Sequence, residues 1–399
     1  MEVVRAGLAV AALVGLCWLM STDRARIRWR PVAIGLGLQV LIAVLVLWSA
    51  PGRAFLQGVA AAVDQVVQAS AAGAAFVFGE GYREHFVAFS IPPTIIFFST
   101  LMALLYHFGV VQALVGAMAA GVRRLLPVSG AEALAACANV FIGNTEAPLL
   151  VKPYIASMTR SELMAMMTGG MATISGGMLA VYVGLGADAG YLVTGSLMAA
   201  PGALTVAKLL VPETETPATL GGGIERLPSE SVNMFQALTK GATDGLILAA
   251  NVIAMLIAFV SLVALANWLL GLLPLVANAP LSLERIFGWG FAPIAFLIGV
   301  DYADAAAVGQ LLGTKIFLTE FLAYSQLVAL EGELSARSTA IATFALCGFS
   351  SFIAIGVQVG GIGAIVPERR DDIARAGLRC MIGGTLVTLM TASIAGMFF

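Results

Sequence analysis

The chain has 399 residues, 60% of them hydrophobic and only 11% charged, with a formal net charge of −2. A soluble protein carries about 25% charged residues, so a soluble globular domain is excluded, and nothing in the charge points to a nucleic-acid partner. Apolar runs recur from end to end and indicate an all-α polytopic membrane protein.

A helix needs about 20 apolar residues to cross a bilayer. Eight candidate spans lie near 4–21, 31–50, 91–108, 161–185, 190–211, 244–273, 339–366 and 374–398. The first follows Met1-Glu-Val-Val-Arg5, lacks a clear small-residue cleavage site and leads into an Arg-rich loop. It is expected to be a retained span rather than a signal peptide. Residues 53–78 are Ala-rich and contain Asp64 and three Gln, and predict an interfacial helix, with a ninth span as the alternative. Residues 110–126 and 281–298 predict further interfacial or linking helices. The stretch Glu213 to Asn233, rich in Pro, Gly, Thr and Glu, predicts a flexible cytoplasmic loop. Cys17, Cys137, Cys347 and Cys380 lie far apart in apolar segments with no metal spacing, and read as small core residues.

Between two apolar runs stands Asn139-Val-Phe-Ile-Gly-Asn-Thr-Glu-Ala-Pro148. A carboxylate at bilayer depth marks a functional site by default. Gly143 and Pro148 bracket Thr145-Glu146 and break a helix there. Broken backbone at that depth survives only where protein or a water-filled cavity satisfies it. Residues 131–157 therefore predict a re-entrant hairpin with a polar tip.

A second copy follows in 302–330, where Gly313-Thr-Lys-Ile-Phe-Leu-Thr-Glu-Phe-Leu322 places Thr319-Glu320 in the role of Thr145-Glu146. Each hairpin precedes a Gly-rich apolar run, Gly169 to Gly177 and Gly348 to Gly356. Interrupted hydrophobic segments at matching places in two halves point to a secondary transporter's substrate site. The domain reading is N-terminal scaffold helices at 1–84, a first inverted repeat at 85–211, a linker at 212–233 and a second repeat at 234–399.

With eight spans and an external N-terminus, 15 of the 21 basic residues fall on the cytoplasmic side, Arg24, Arg123, Arg226 and Arg369 among them. The positive-inside rule thus places both termini outside. The first hairpin then opens from the cytoplasm and the second from the exterior.

The run Gly143-Asn-Thr-Glu-Ala-Pro148 resembles the first-hairpin signature of concentrative nucleoside transporters, G-Q/N-T-E-A-P. Further matches are Pro293-Ile-Ala-Phe-Leu-Ile-Gly-Val-Asp301, Leu312-Gly-Thr-Lys315, Thr319-Glu-Phe-Leu-Ala-Tyr324 and Ile355-Gly-Val-Gln-Val-Gly-Gly-Ile362. The resemblance covers residues 85–395. It implies a homotrimer in the bacterial inner membrane, each protomer with its own nucleoside site between two hairpins and two unwound helices. Carried over, Asn144, Thr145 and Glu146 face the nucleobase and Met178 walls it. Glu320 binds ribose hydroxyls, and Phe349 lines the pocket. A sodium ion takes the side chains of Asn139 and Thr173 and the carbonyls of Ile142 and Ile174.

The sequence departs from that pattern after Phe349, where the family reads A-N-F-S-S and this chain reads Ser350-Ser-Phe-Ile-Ala354. Ser351 replaces an Asn and Ala354 a Ser, both implicated in ribose recognition, so relaxed ribose recognition is expected. Thr319 replaces the usual Asn.

A nucleoside is neutral, polar and flat, and needs hydrogen-bonding groups between apolar or aromatic walls. Asn144 donates and accepts, while Glu146 and Glu320 accept. Hard oxygen donors suit Na⁺. The residues lead to a Na⁺-coupled nucleoside importer, with H⁺ coupling through Glu146 or Glu320 as the rival. Asp301 and Asp304, a helical turn apart, raise an intramembrane aspartyl enzyme, but a capping role fits them better, and an enzyme needs no inverted repeat. Lys315 is a candidate partner for a hairpin carboxylate. His85 and His107 have no partner at catalytic or metal spacing.

Overall fold

The computed structural model describes residues 2–221, 231–276 and 279–399, with only the backbone described for Glu2 and residues 83–87. Residues 222–230 of the linker, Arg226 among them, and the side chains of Arg83 and His85 therefore lie outside the described residues. Among the described residues the chain is helical, with no strand beyond one isolated bridge between Val276 and Ala279.

Two stretches repeat one order of elements. In the first, the helix Ala88–His107 precedes a surface helix, Val110–Leu125. A hairpin follows: helix Gly130–Ala138, a turn, then short helices at Ala147–Val151 and Lys152–Ile155. Next comes a broken helix, Arg160–Ala172 and Gly176–Leu185, and then Ala189–Leu210. In the second, Met234–Gly271 precedes Leu283–Leu297 and the hairpin Ala305–Phe317 and Glu320–Ala329. A broken helix, Ala336–Leu346 and Phe352–Ile365, and the helix Arg370–Ala395 complete it. Both predicted hairpins are present, and each packs against the surface helix before it.

The helix Ala50–Phe78 runs 29 residues without a break. By length and composition it is one of seven helices able to cross a membrane, where the sequence predicts an interfacial element. It packs on the helices 88–107, 176–185 and 189–210.

The spans Arg160–Leu185 and Ala189–Leu210 are 83% and 89% buried over their apolar windows, whereas Met234–Gly271 is 6% buried. The broken helix is thus central, and the long helix is a peripheral wall. That wall packs on Ala88–His107 through Gly241 and Gly245, where an added Cβ would lie 2.7 Å from Ala103 Cβ and from Ile96 Cα. Small residues at such spacing let helices approach closely in lipid.

Local sequence explains how the hairpin is set up. Ser129 and Glu132 form a capping box at its start, and Thr159 and Glu162 form another at the start of the broken helix. Ser129 Oγ donates to Glu162 Oε1 at 2.5 Å, tying the two caps together. Lys208 Nζ lies 2.8 Å from Glu132 Oε2 and 3.2 Å from Glu213 Oε2 and donates to Ser161 Oγ at 3.0 Å, so the buried ammonium is paired and Glu132 is not left without a counter-charge. The four cysteines are all buried and unpaired, as small core residues should be.

Candidate functional site

The helix breaks satisfy one another's backbone. Gly176 N–H donates to Phe141 O at 3.2 Å, linking the first break to the first hairpin turn. Phe349 N–H donates to Thr173 O at 3.3 Å, linking the two breaks. This is the protein-lined setting that irregular backbone needs at membrane depth.

A cavity of about 510 Å³ opens at this junction. It is lined by all seven predicted substrate contacts, Asn144, Thr145, Glu146, Met178, Glu320, Phe349 and Ser351. They come from four elements: both hairpin tips and both broken helices.

Three helix N-termini converge on the same space. Ser175, Thr319 and Ser351 line the cavity, and each caps the half-helix that follows. Their side chains accept from Met178 N–H at 3.3 Å, Leu322 N–H at 3.2 Å and Ala354 N–H at 3.4 Å. Each helix N-terminus carries roughly half a positive charge, which offsets the cost of holding Glu146 and Glu320 away from bulk water.

The two carboxylates are held differently. Glu146 Oε2 accepts from Gly143 N–H at 2.7 Å, folding back across its own turn. A Cβ on Gly143 would fall 2.7 Å from that oxygen, so a larger residue there would push the carboxylate aside. Glu320 Oε1 instead accepts from the phenol of Tyr182 at 3.0 Å. Ser351 spends its oxygen on the cap and keeps a hydroxyl hydrogen to donate.

The predicted cation ligands also fit. Asn139 Oδ1 is buried and accepts no hydrogen bond, while its Nδ2 donates to Met166 O at 3.3 Å. Thr173 Oγ1 donates to Gly169 O at 2.9 Å, which leaves its lone pairs free. Among the described residues, the carbonyls of Ile142 and Ile174 accept no backbone hydrogen bond. Asn139 packs against the turn that ends at Thr173, for a Cβ on Gly169 would lie 2.9 Å from its Nδ2. Uncommitted oxygens of this kind are the donor set a hard cation takes.

The remaining polar candidates stand apart. Asp301 Oδ2 accepts from Ser335 Oγ at 2.7 Å and Asp304 Oδ2 from Ser335 N–H at 3.1 Å. They hold Ser335, the residue that caps Ala336–Leu346, while Asp304 makes no side-chain cap bond to the helix it precedes, contrary to the expected capping role; neither aspartate lines the cavity. Among the described residues Lys315 makes no contact ion pair with the hairpin carboxylate it is expected to partner, although it stands near enough to Glu320 for the two charges to attract. Its ammonium donates to Ala345 O at 2.8 Å and Thr388 Oγ1 at 3.0 Å. A helix C-terminus leaves its last carbonyls unpaired and favours a cation, and the second break supplies such an end.

Sequence reasoning missed one whole wall. Leu248, Asn251, Val252, Met255 and Phe259 of the long helix also line the cavity. The only signal was Asn251, an isolated amide in an apolar run. Tyr182 was missed because nothing local ties it to Glu320.

The sequence matches the families described as "Na+ dependent nucleoside transporter C-terminus" over residues 191–396, "Na+ dependent nucleoside transporter N-terminus" over 8–81 and "Nucleoside recognition" over 88–189. The chain belongs to the concentrative nucleoside transporter family. The nucleoside permease NupC of Helicobacter pylori is 36% identical, with 98% of this chain and 96% of the permease aligned. Solute carrier family 28 member 3 of Rattus norvegicus is 40% identical over 96% of this chain, which spans 57% of the carrier's length. The structure of CNTnw in an inward-facing, substrate-bound state superposes with a TM-score of 0.94 at 40% identity, covering 100% of this chain and 98% of the other. These relatives are transporters rather than enzymes, and the fold is that of the concentrative transporters, in a multi-pass membrane protein.

Proposed function

We propose that this chain is a Na⁺-coupled secondary importer of nucleosides across the bacterial inner membrane, binding its substrate in the 510 Å³ cavity. The observation that carries the reading is the meeting of Thr145-Glu146 and Thr319-Glu320, tips of hairpins in opposed repeats, at one cavity. Asn144, Thr145 and Glu146 take the base between Met178 and Phe349. Glu320 accepts from the sugar hydroxyls, with Ser351 donating beside it. Asn139, Thr173 and the carbonyls of Ile142 and Ile174 hold the coupling ion, which supplies the driving force when bound. Their place beside the first hairpin turn lets substrate binding and ion binding stabilise the same arrangement.

The protomer works in a homotrimer with both termini external. The distribution of basic residues supports the orientation, and the little-buried long helix leaves apolar surface for partners or lipid.

The test is uridine binding to purified protein. Glu146→Gln and Glu320→Gln should each cut affinity at least tenfold while the protein still assembles. Thr173→Val should weaken Na⁺ dependence more than uridine affinity at saturating Na⁺. Wild-type binding by both glutamine variants would refute the site, and an unchanged Na⁺ dependence in Thr173→Val would refute the ion ligands.

A further inference from the structure

The long helix Met234–Gly271 presents the cavity with an apolar stripe that includes Leu248, Val252, Met255 and Phe259. Within it, Asn251 is the one residue between Gly245 and Asn267 to carry an amide or a charge. It lines the same cavity as Glu146 and Glu320, from a helix that belongs to neither hairpin. Among the described residues its side-chain amide bonds no other protein group.

An amide at membrane depth ordinarily finds a partner on a neighbouring helix. Left without one in hydrocarbon it costs several kcal/mol. Asn251 is exposed and lines the cavity, so a ligand bound there comes within its reach. The hairpin carboxylates can only accept, whereas an amide both donates and accepts. A ligand bound to the hairpin tips also has polar atoms on its far side, and the rest of the stripe offers them nothing but carbon.

The geometry points to Asn251 as a specificity-determining residue of the substrate site: it is the single hydrogen-bonding group on the long-helix wall, and it pairs with a polar atom of the nucleoside that faces away from the hairpins. The inference rests on the reading of the cavity as the nucleoside site. It adds that recognition is not confined to the hairpins and broken helices. A polar group that a bound ligand covers, and that an analogue lacking its partner leaves unpaired, produces discrimination.

The experiment compares Asn251→Leu with wild type for binding of uridine and its 2′-deoxy, 3′-deoxy, 5′-deoxy and 4-thio analogues. Asn251→Leu should weaken uridine binding about 2- to 12-fold, the span of one hydrogen bond. The loss should vanish for the analogue that lacks or weakens the bonded atom. Asn251→Gln, which keeps the amide on a longer arm, goes through the same panel, so a folding defect in the leucine variant leaves the question answerable. Undiminished uridine binding would overturn the assignment, and so would an equal loss on every analogue, which marks a packing effect. Glu320→Gln run alongside separates the two readings. Its failure to lose binding would sink the site itself, and its loss beside an unaffected Asn251→Leu would sink the Asn251 assignment alone.

Discussion

The phenol of Tyr182 donates a hydrogen bond to Glu320 Oε1 at 3.0 Å, joining the broken helix of the first repeat to the hairpin tip of the second. Tyr182 stacks on Tyr324 at a ring-centroid distance of 4.5 Å, and Tyr324 donates its own hydroxyl to Thr343 O at 2.8 Å. The relay fixes one oxygen of Glu320, and under the proposed function the other serves the substrate. Tyr182→Phe keeps the stack and removes the donor. It should weaken uridine binding about 2- to 12-fold without loss of assembly. Saturation binding on the purified variant checks this, and unchanged affinity would mean that Glu320 needs no such positioning.

Gly143→Ala should displace Glu146 from its bond to Gly143 N–H, because the added Cβ would meet Glu146 Oε2 at 2.7 Å. Hydrogen bonds to charged groups are worth about 1.5–3 kcal/mol, so affinity should fall about tenfold or more. In the Glu146→Gln background the same change should add little, since the two act through one group. Additive losses in the double variant would show that Gly143 does something else.

Lys208 sits among Glu132, Glu213 and Ser161 beneath the first hairpin. Lys208→Met strands Glu132, whose side chain is 1% exposed. Leaving a buried charge unpaired costs about 3–5 kcal/mol, so the melting temperature in detergent should drop sharply. Lys208→Met/Glu132→Gln should recover much of it. A melt of the single variant that matches wild type would show the cluster to be dispensable.

Asp304 reports on the second hairpin's base. Burial pushes its carboxyl up, but hydrogen bonds from Ser338 and Ser335 outweigh that and hold it below the usual value of 3.8. A carboxylate whose folded pKa is depressed gives its stability above the unfolded pKa and loses it as pH falls through the folded value. The protein should therefore lose melting temperature on acidification below about pH 4, and Asp304→Asn should lose less over that interval. Identical acid profiles would remove Asp304 from the account.

The hairpins were legible because a Thr-Glu pair inside an apolar run is locally improbable and appears twice. Four of the seven predicted lining residues, Asn144, Thr145, Glu146 and Glu320, were legible because the motifs Gly143 to Pro148 and Thr319 to Tyr324 are contiguous, whereas Met178, Phe349 and Ser351 stand in or just after the Gly-rich runs that follow each hairpin. Asn251 was not legible, because its role depends on which helix lines the cavity, and an apolar helix gives no such direction from its own sequence. Lys315 misled because charge invites pairing with charge. The physical competitor was the carbonyl end left open where Ala336–Leu346 breaks, 30 residues away. The helix Ala50–Phe78 read as interfacial from Asp64 and its alanines, yet its unbroken length suits a span.

The central claim is that a Na⁺ gradient drives nucleoside accumulation through this cavity. The direct measurement is uptake of labelled uridine into proteoliposomes at equal pH on both sides, with and without an inward Na⁺ gradient. The account predicts accumulation above the external concentration with the gradient, collapse to equilibration without it, and no accumulation by Glu146→Gln. Accumulation driven by a pH gradient alone and indifferent to Na⁺ would contradict it.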